Sequence, residues 1–149
     1  MSLQPNDAAL VARLRLDEGV IKHEYKDSLG YSTIGVGRLI DKRKGGGLSD
    51  DEIDYLLAND IRRSIADLDR ALPWWRNLTE NRQRVLVNMC FNLGIGNAKV
   101  GTGLLGFKNT LAMIERGEYA KAAAGMLNSK WARQVGDRSK RLSDMMKEG

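Results

Sequence analysis

The 149-residue sequence is poor in the side chains that make covalent or metal cross-links, with one cysteine, Cys90, and one histidine, His23. A lone cysteine excludes an intramolecular disulfide. Its apolar surroundings, Val85 to Phe91, fit a buried thiol that packs as a small hydrophobe. His23 has no second histidine or cysteine with which to build a metal site, so it reads as a surface or hairpin residue, and no metal or organic cofactor is expected. Long apolar runs are also missing. No window approaches the roughly eighteen apolar residues of a membrane span. Near the N-terminus, Asp7, Arg13, Arg15, Asp17 and Glu18 replace the uninterrupted apolar stretch of a secretory signal peptide, so synthesis in the cytoplasm is the expectation. There is no internal repeat and no low-complexity tract.

What is there describes an ordinary globular chain, 42% hydrophobic and 29% charged, long enough for one domain or two small lobes. The net charge of +5 admits an anionic partner. Nucleic acid, acidic lipid and the peptide carboxylates of a bacterial wall all qualify, and the charge alone selects none of them.

Asn6 or Asp7 can cap a first helix with Leu10, Val11 and Leu14 at helical spacing, and Gly19 supplies its stop. Residues 20 to 40 change period: Tyr31, Thr33, Ile34 and Val36 favour strand, between turns marked by Ser28-Leu29-Gly30, Gly35 and Gly37. Lys42 to Gly47 reads as a solvated, mobile hairpin tip. Ser49 and Glu52 form a capping box that opens a long amphipathic helix, ended by Pro73. At 1.5 Å per residue it is on the order of 30 Å long, enough to join a small lobe to a larger one. Helices are then predicted over about 80–93, 107–116, 118–128 and 137–147, punctuated by glycines. The fold class is therefore α+β and mostly helical: a small β-hairpin lobe joined by a long helix to a larger all-helical lobe. The expected organisation is one domain over 1–149, with a hairpin lobe at about 15–60 and a helical lobe at 61–149 that also takes the first helix.

The chemistry concentrates between Asp17 and Leu39. Glu18 and Asp27 are nine positions apart, and a tight turn at Gly19 can bring one carboxylate across from the other. Two carboxylates facing each other over a cleft can cleave a glycosidic bond: one protonates the leaving oxygen while the other activates water or attacks. Glu18 would stand at the negative end of a helix macrodipole, a setting that suits a proton donor. Taken singly, it is equally an ordinary helix-end glutamate. Asp27 is equally a turn residue bonded to its own backbone, and Thr33 a plain strand former.

Together, Asp17-Glu18-Gly19 and Tyr25-Lys26-Asp27-x-x-Gly30-Tyr31-x-Thr33-Ile34-Gly35-x-Gly37 closely resemble the active-site signature of the phage-type lysozymes, the endolysins of tailed bacteriophages. Leu57 to Ile61 is similar to the start of that family's interlobe helix, and Arg84 to Gly94 to its central core helix. Gly106 to Leu111 and Asp137 to Arg141 are similar to two later motifs, so the resemblance covers about residues 8–145. It implies a lysozyme-like fold and a muramidase that hydrolyses, with inversion, the β-1,4 bond between N-acetylmuramic acid and N-acetylglucosamine in peptidoglycan. Glu18 would be the general acid, Asp27 the carboxylate acting on water, and Thr33 its hydroxyl partner. Arg138 would support catalysis by pairing with the glutamate. Gly37, Leu39, Phe91, Asn92, Phe107 and Thr110 would bind substrate, although Phe91 and Phe107 are as readily core. Trp131 is similar to a family tryptophan of structural role, whereas Trp74 and Trp75 read as packing after Pro73. Inversion needs room for water, so the carboxyl groups are expected about 6.5–9.5 Å apart. The resemblance further implies a monomer that acts on the wall after release through a separate holin-type pore, without nucleic acid or stable membrane insertion.

One departure stands out. The family commonly has histidine where this chain has Arg38, and the resemblance pairs that position with Asp60, so an Arg38–Asp60 ion pair is expected. Two rivals share the sequence. A lytic transglycosylase would need one acid and the sugar's own hydroxyl, and the presence of both Asp27 and Thr33 argues against it. A non-enzymatic cationic protein would use Lys130, Arg133, Arg138, Lys140, Arg141 and Lys147 beside Leu142, Met145 and Met146 to bind anionic membrane or nucleic acid. Packing against the helical lobe explains those apolar positions better.

Overall fold

The computed structural model describes residues 3–149 as two compact units, one running to Asp54 and the other spanning Tyr55–Gly149. In the first, α1 (Ala8–Glu18) is capped by Asp7, whose carboxylate accepts the Leu10 amide at 2.8 Å, and it stops at Gly19. Leu10, Val11 and Leu14 share the predicted stripe but remain exposed. Three antiparallel strands follow in the order β1 (Ile21–Lys26), β2 (Ser32–Gly35) and β3 (Arg38–Leu39), with Thr33 opposite Tyr25 on one side and Leu39 on the other. The register shifts between Ile21 and Tyr25. The β1–β2 turn closes through a 2.9 Å bond from the Gly30 amide to the Asp27 carbonyl.

The Lys42–Lys44 run is not the loose tip expected from its charge. It is a 3-10 turn capped by Asp41, with Gly45 in the left-handed region at its end. Asp41 accepts from the backbone and guanidinium of Arg43, and those bonds give the turn its shape. Arg38 and Asp60, expected as a pair, each have a partner within their own unit. Arg38 meets the Glu52 carboxylate and the Gly47 carbonyl, whereas Asp60 pairs with Arg63 one helical turn away at 3.0 Å. The capping box draws Glu52 back over the chain entering the helix. Its Oε1 accepts the Ser49 amide at 2.8 Å and the Ser49 hydroxyl at 2.7 Å.

The long helix is α2 (Asp50–Ala71), and the boundary between units falls within it. Pro73 opens a short 3-10 turn, Pro73–Asn77, rather than extending the helix. Next come α3 (Glu80–Leu93), α4 (Lys108–Glu115), α5 (Tyr119–Leu127), α6 (Lys130–Val135) and α7 (Asp137–Glu148). Thr79 caps α3 and Gly94 ends it. The sequence reading omits α6, a six-residue helix capped by Ser129, because it is too short to show a period.

The hydrophobic core lies wholly in the second unit, and Leu68, Trp75, Leu86, Met89, Leu104, Ile114, Met126 and Met146 are among its fully enclosed members. Leu142 and Met146 are buried, and Met145 packs against the cluster, so the apolar face of α7 is taken up by the core. Cys90 is buried as expected, donates weakly to the Ser64 carbonyl, and burial raises its pKa. Trp75 is enclosed, and its indole donates to Asp69 at 2.8 Å; Arg76 binds the same carboxylate and stacks on the ring.

Candidate functional site

In the first unit, the last residue of α1 and the hairpin bring several predicted residues together. The exposed Glu18 side chain leans over Gly37, where a side chain would collide with it: a β-carbon there would stand 2.6 Å from Glu18 Oε2. Gly37 also has φ of +63°, which glycine adopts without strain. Within the first unit, the Glu18 carboxyl makes no hydrogen bond among the described residues.

Asp27 is half-buried at the turn. Its Oδ1 accepts the Leu29 amide at 2.9 Å and the Tyr31 amide at 2.8 Å, while its own amide donates to the Tyr31 carbonyl at 2.9 Å. The turn-bonding expected of a local aspartate is therefore present, and it immobilises one oxygen. Within the first unit, Oδ2 accepts no hydrogen bond among the described residues. Thr33 is buried on β2, and its hydroxyl donates to the Tyr31 carbonyl at 3.0 Å, which leaves its lone pairs to accept. Leu39 is half-buried beside Thr33 on β3.

The first unit carries two anions, Asp41 just after β3 and Glu52 in the first turn of α2, that the sequence reading left without a role in the site. Asp41 is buried and held well below the usual carboxylate range, first by the Arg43 guanidinium and then by backbone amides. Glu52 is brought from an ordinary 4.5 down to about 2, chiefly by the Ser49 amide and hydroxyl and then by Arg38. Aspartate just before a basic run is a turn-capping signal and would have found the first.

In the second unit, a groove of about 630 Å³ has an apolar wall of Leu57, Ile61, Ile65, Val87 and Phe91, with Asn88 and Arg138 among its polar members. Arg138 is half-buried, and both Nε and Nη2 donate to Asn88 Oδ1, at 2.9 and 2.6 Å. Asn92 and Phe107 converge on Trp131. The indole donates to Asn92 Oδ1 at 2.8 Å, and the Phe107 ring meets it edge-on with centroids 6.1 Å apart. Trp131 is buried, as its structural assignment requires, and Thr110 is buried on α4. Asn88 is the residue the motif comparison passed over, since only the fold shows its bond to a side chain fifty positions away. Among the described residues, no three His, Cys, Asp or Glu side chains gather as a metal site, and no helix is long and apolar enough to cross a membrane.

The family model for phage lysozyme matches residues 16–147. Probable T4-type lysozyme 1 of Dictyostelium discoideum is 29% identical over 91% of this chain and 92% of its own length. Probable T4-type lysozyme 2 of the same organism is 29% identical over 95% of each chain. The pre-baseplate central spike protein Gp5 of Enterobacteria phage T4 is 26% identical over 95% of this chain, but the match spans 28% of that larger protein.

Proposed function

The chain belongs to the phage lysozyme family, and on that premise we propose that Glu18, Asp27 and Thr33 hydrolyse the β-1,4 bond between N-acetylmuramic acid and N-acetylglucosamine with inversion. The family is one of glycoside hydrolases, and its activity is muramidase-type lysis of the bacterial cell wall. Glu18 delivers its proton to the glycosidic oxygen as the bond from that oxygen to the anomeric carbon breaks. Asp27 takes a proton from the water that attacks the opposite face of the sugar. The observation that carries this division is the asymmetry of Asp27: Oδ1 is pinned by two amides, and Oδ2 is left to receive the water proton. Thr33, whose hydroxyl donates to the Tyr31 carbonyl, offers a lone pair to that water.

By the same resemblance Gly37, Leu39, Phe91, Asn92, Phe107 and Thr110 bind the glycan, and Arg138 supports the reaction. The two units are lobes of one lysozyme-like domain, which works as a monomer and reaches the wall through a separate pore. The test is turbidity loss of outer-membrane-stripped cells, with mass spectrometry of the released fragments. Wild-type protein should leave hydrated reducing ends of inverted configuration, and Glu18→Gln and Asp27→Ala should each abolish lysis. Anhydro-sugar products, or full activity in Asp27→Ala, would overturn the proposal in favour of a transglycosylase. Continued killing by Glu18→Gln would point to the cationic alternative.

A further inference from the structure

Asp41 is the one charged side chain that is buried among the described residues, at 7% exposure, and nothing in the reaction above uses it. Its carboxylate ties the 3-10 turn to the strand bearing Thr33. Oδ1 accepts the Arg43 amide at 2.9 Å and Arg43 Nε at 3.0 Å; Oδ2 accepts Arg43 Nη2 at 2.7 Å and, more weakly, the Ser32 amide at 3.4 Å. Gripped this way, the Arg43 guanidinium sits 5.2 Å from the centre of the Tyr31 ring, and the Lys44 ammonium sits 4.9 Å from it. Cations over an aromatic face attract it. A guanidinium whose fork is fixed by a carboxylate does so in one orientation.

The Tyr31 backbone is the hub of the catalytic hairpin. Its amide holds Asp27 Oδ1, and its carbonyl accepts both the Asp27 amide and the Thr33 hydroxyl. We infer that Asp41 is a positioning residue: acting through Arg43 on the Tyr31 ring, and directly on the Ser32 amide, it fixes the Tyr31 backbone, whose amide aims the Asp27 carboxylate. This rests on Asp27 acting on the attacking water. Displacements on the order of 1 Å can cost about 10²-fold in rate, so a clamp of this kind shows in turnover before it shows in binding.

The plain alternative is that Asp41 only caps the 3-10 turn. Asp41→Asn separates the two, because asparagine caps as well as aspartate but lacks the charge and the second acceptor oxygen that grip Arg43. The expected result is a kcat lowered about tenfold with KM nearly unchanged, together with faster hydrogen exchange at the Tyr31 amide. Arg43→Met, which leaves Asp41 in place, should reproduce both effects. Lys42→Met, which changes the charge of the turn but not the clamp, should retain the wild-type kcat. Wild-type kcat in Arg43→Met overturns the inference even if Asp41→Asn does not fold. So does an equal loss in Lys42→Met, which would assign the effect to charge. The Asp27→Ala variant keeps the failures distinct. If it is active, the assignment of Asp27 falls and takes the inference with it; if it is inactive while Arg43→Met turns over normally, only the inference falls.

Discussion

The Glu18 carboxyl group and the backbone of Gly37 are in such close approach that a β-carbon on the glycine would lie 2.9 Å from the carboxyl carbon. The hairpin therefore forms the floor on which the proposed acid rests. Gly37→Ala has two costs here, a strained positive φ and displacement of the carboxyl group. The variant should fold with a lowered melting temperature and lose about 10²-fold in kcat. Wild-type kcat in a folded Gly37→Ala protein would show that this contact does not matter.

Asn88 holds Arg138 by two bonds to one oxygen. Asn88→Ala frees the guanidinium, and a bond to a charged group contributes about 1.5–3 kcal/mol. Lytic activity should fall in the same direction as in Arg138→Ala, but less far. Unchanged activity in both variants would remove Arg138 from the supporting role.

Glu52 gives a sign that can be worked out. Its carboxylate is favoured in the folded state, so the stability it contributes is fully present above its ordinary value of 4.5 and is lost as pH falls through about 2. Glu52→Gln should lower the melting temperature at pH 7 and flatten its dependence between about pH 5 and pH 2. If the two proteins have parallel melting curves against pH across that window, the contacts to Ser49 and Arg38 do not stabilise the anion.

Leu86 is fully enclosed on α3, surrounded by the core of the second unit. Leu86→Ala should cost about 2–5 kcal/mol, read by denaturant unfolding. A loss below about 1 kcal/mol would mean that the site collapses around the missing atoms.

The elements that sequence made legible are those whose ends carry chemical punctuation. Thr79 and Gly94 bound α3 at the residues expected, and Ser49 with Glu52 marks the start of α2. The signature from Asp17 to Leu39 falls on one helix end and one hairpin, as its spacing implies. Hidden were contacts decided by competition between partners. Arg38 meets Glu52 because the capping box folds that carboxylate back over the helix start, a contact that no spacing rule announces. The position of Asp41 before a basic run signals a turn cap, but only the folded hairpin shows that it is enclosed. Trp131 with Asn92, and Arg138 with Asn88, join positions too distant in the chain for local pattern to connect.

Every side chain in the hydrophobic cluster comes from beyond Tyr55, and within its own unit the hairpin that carries Asp27 and Thr33 is held by turns, ladders and ion pairs. Such a segment can open locally with little loss of apolar burial, while α3 and α7 open only with the whole unit. Protease nicking near neutral pH should therefore start among residues 20–47, at a rate set by that local opening, well before the C-terminal helices are touched.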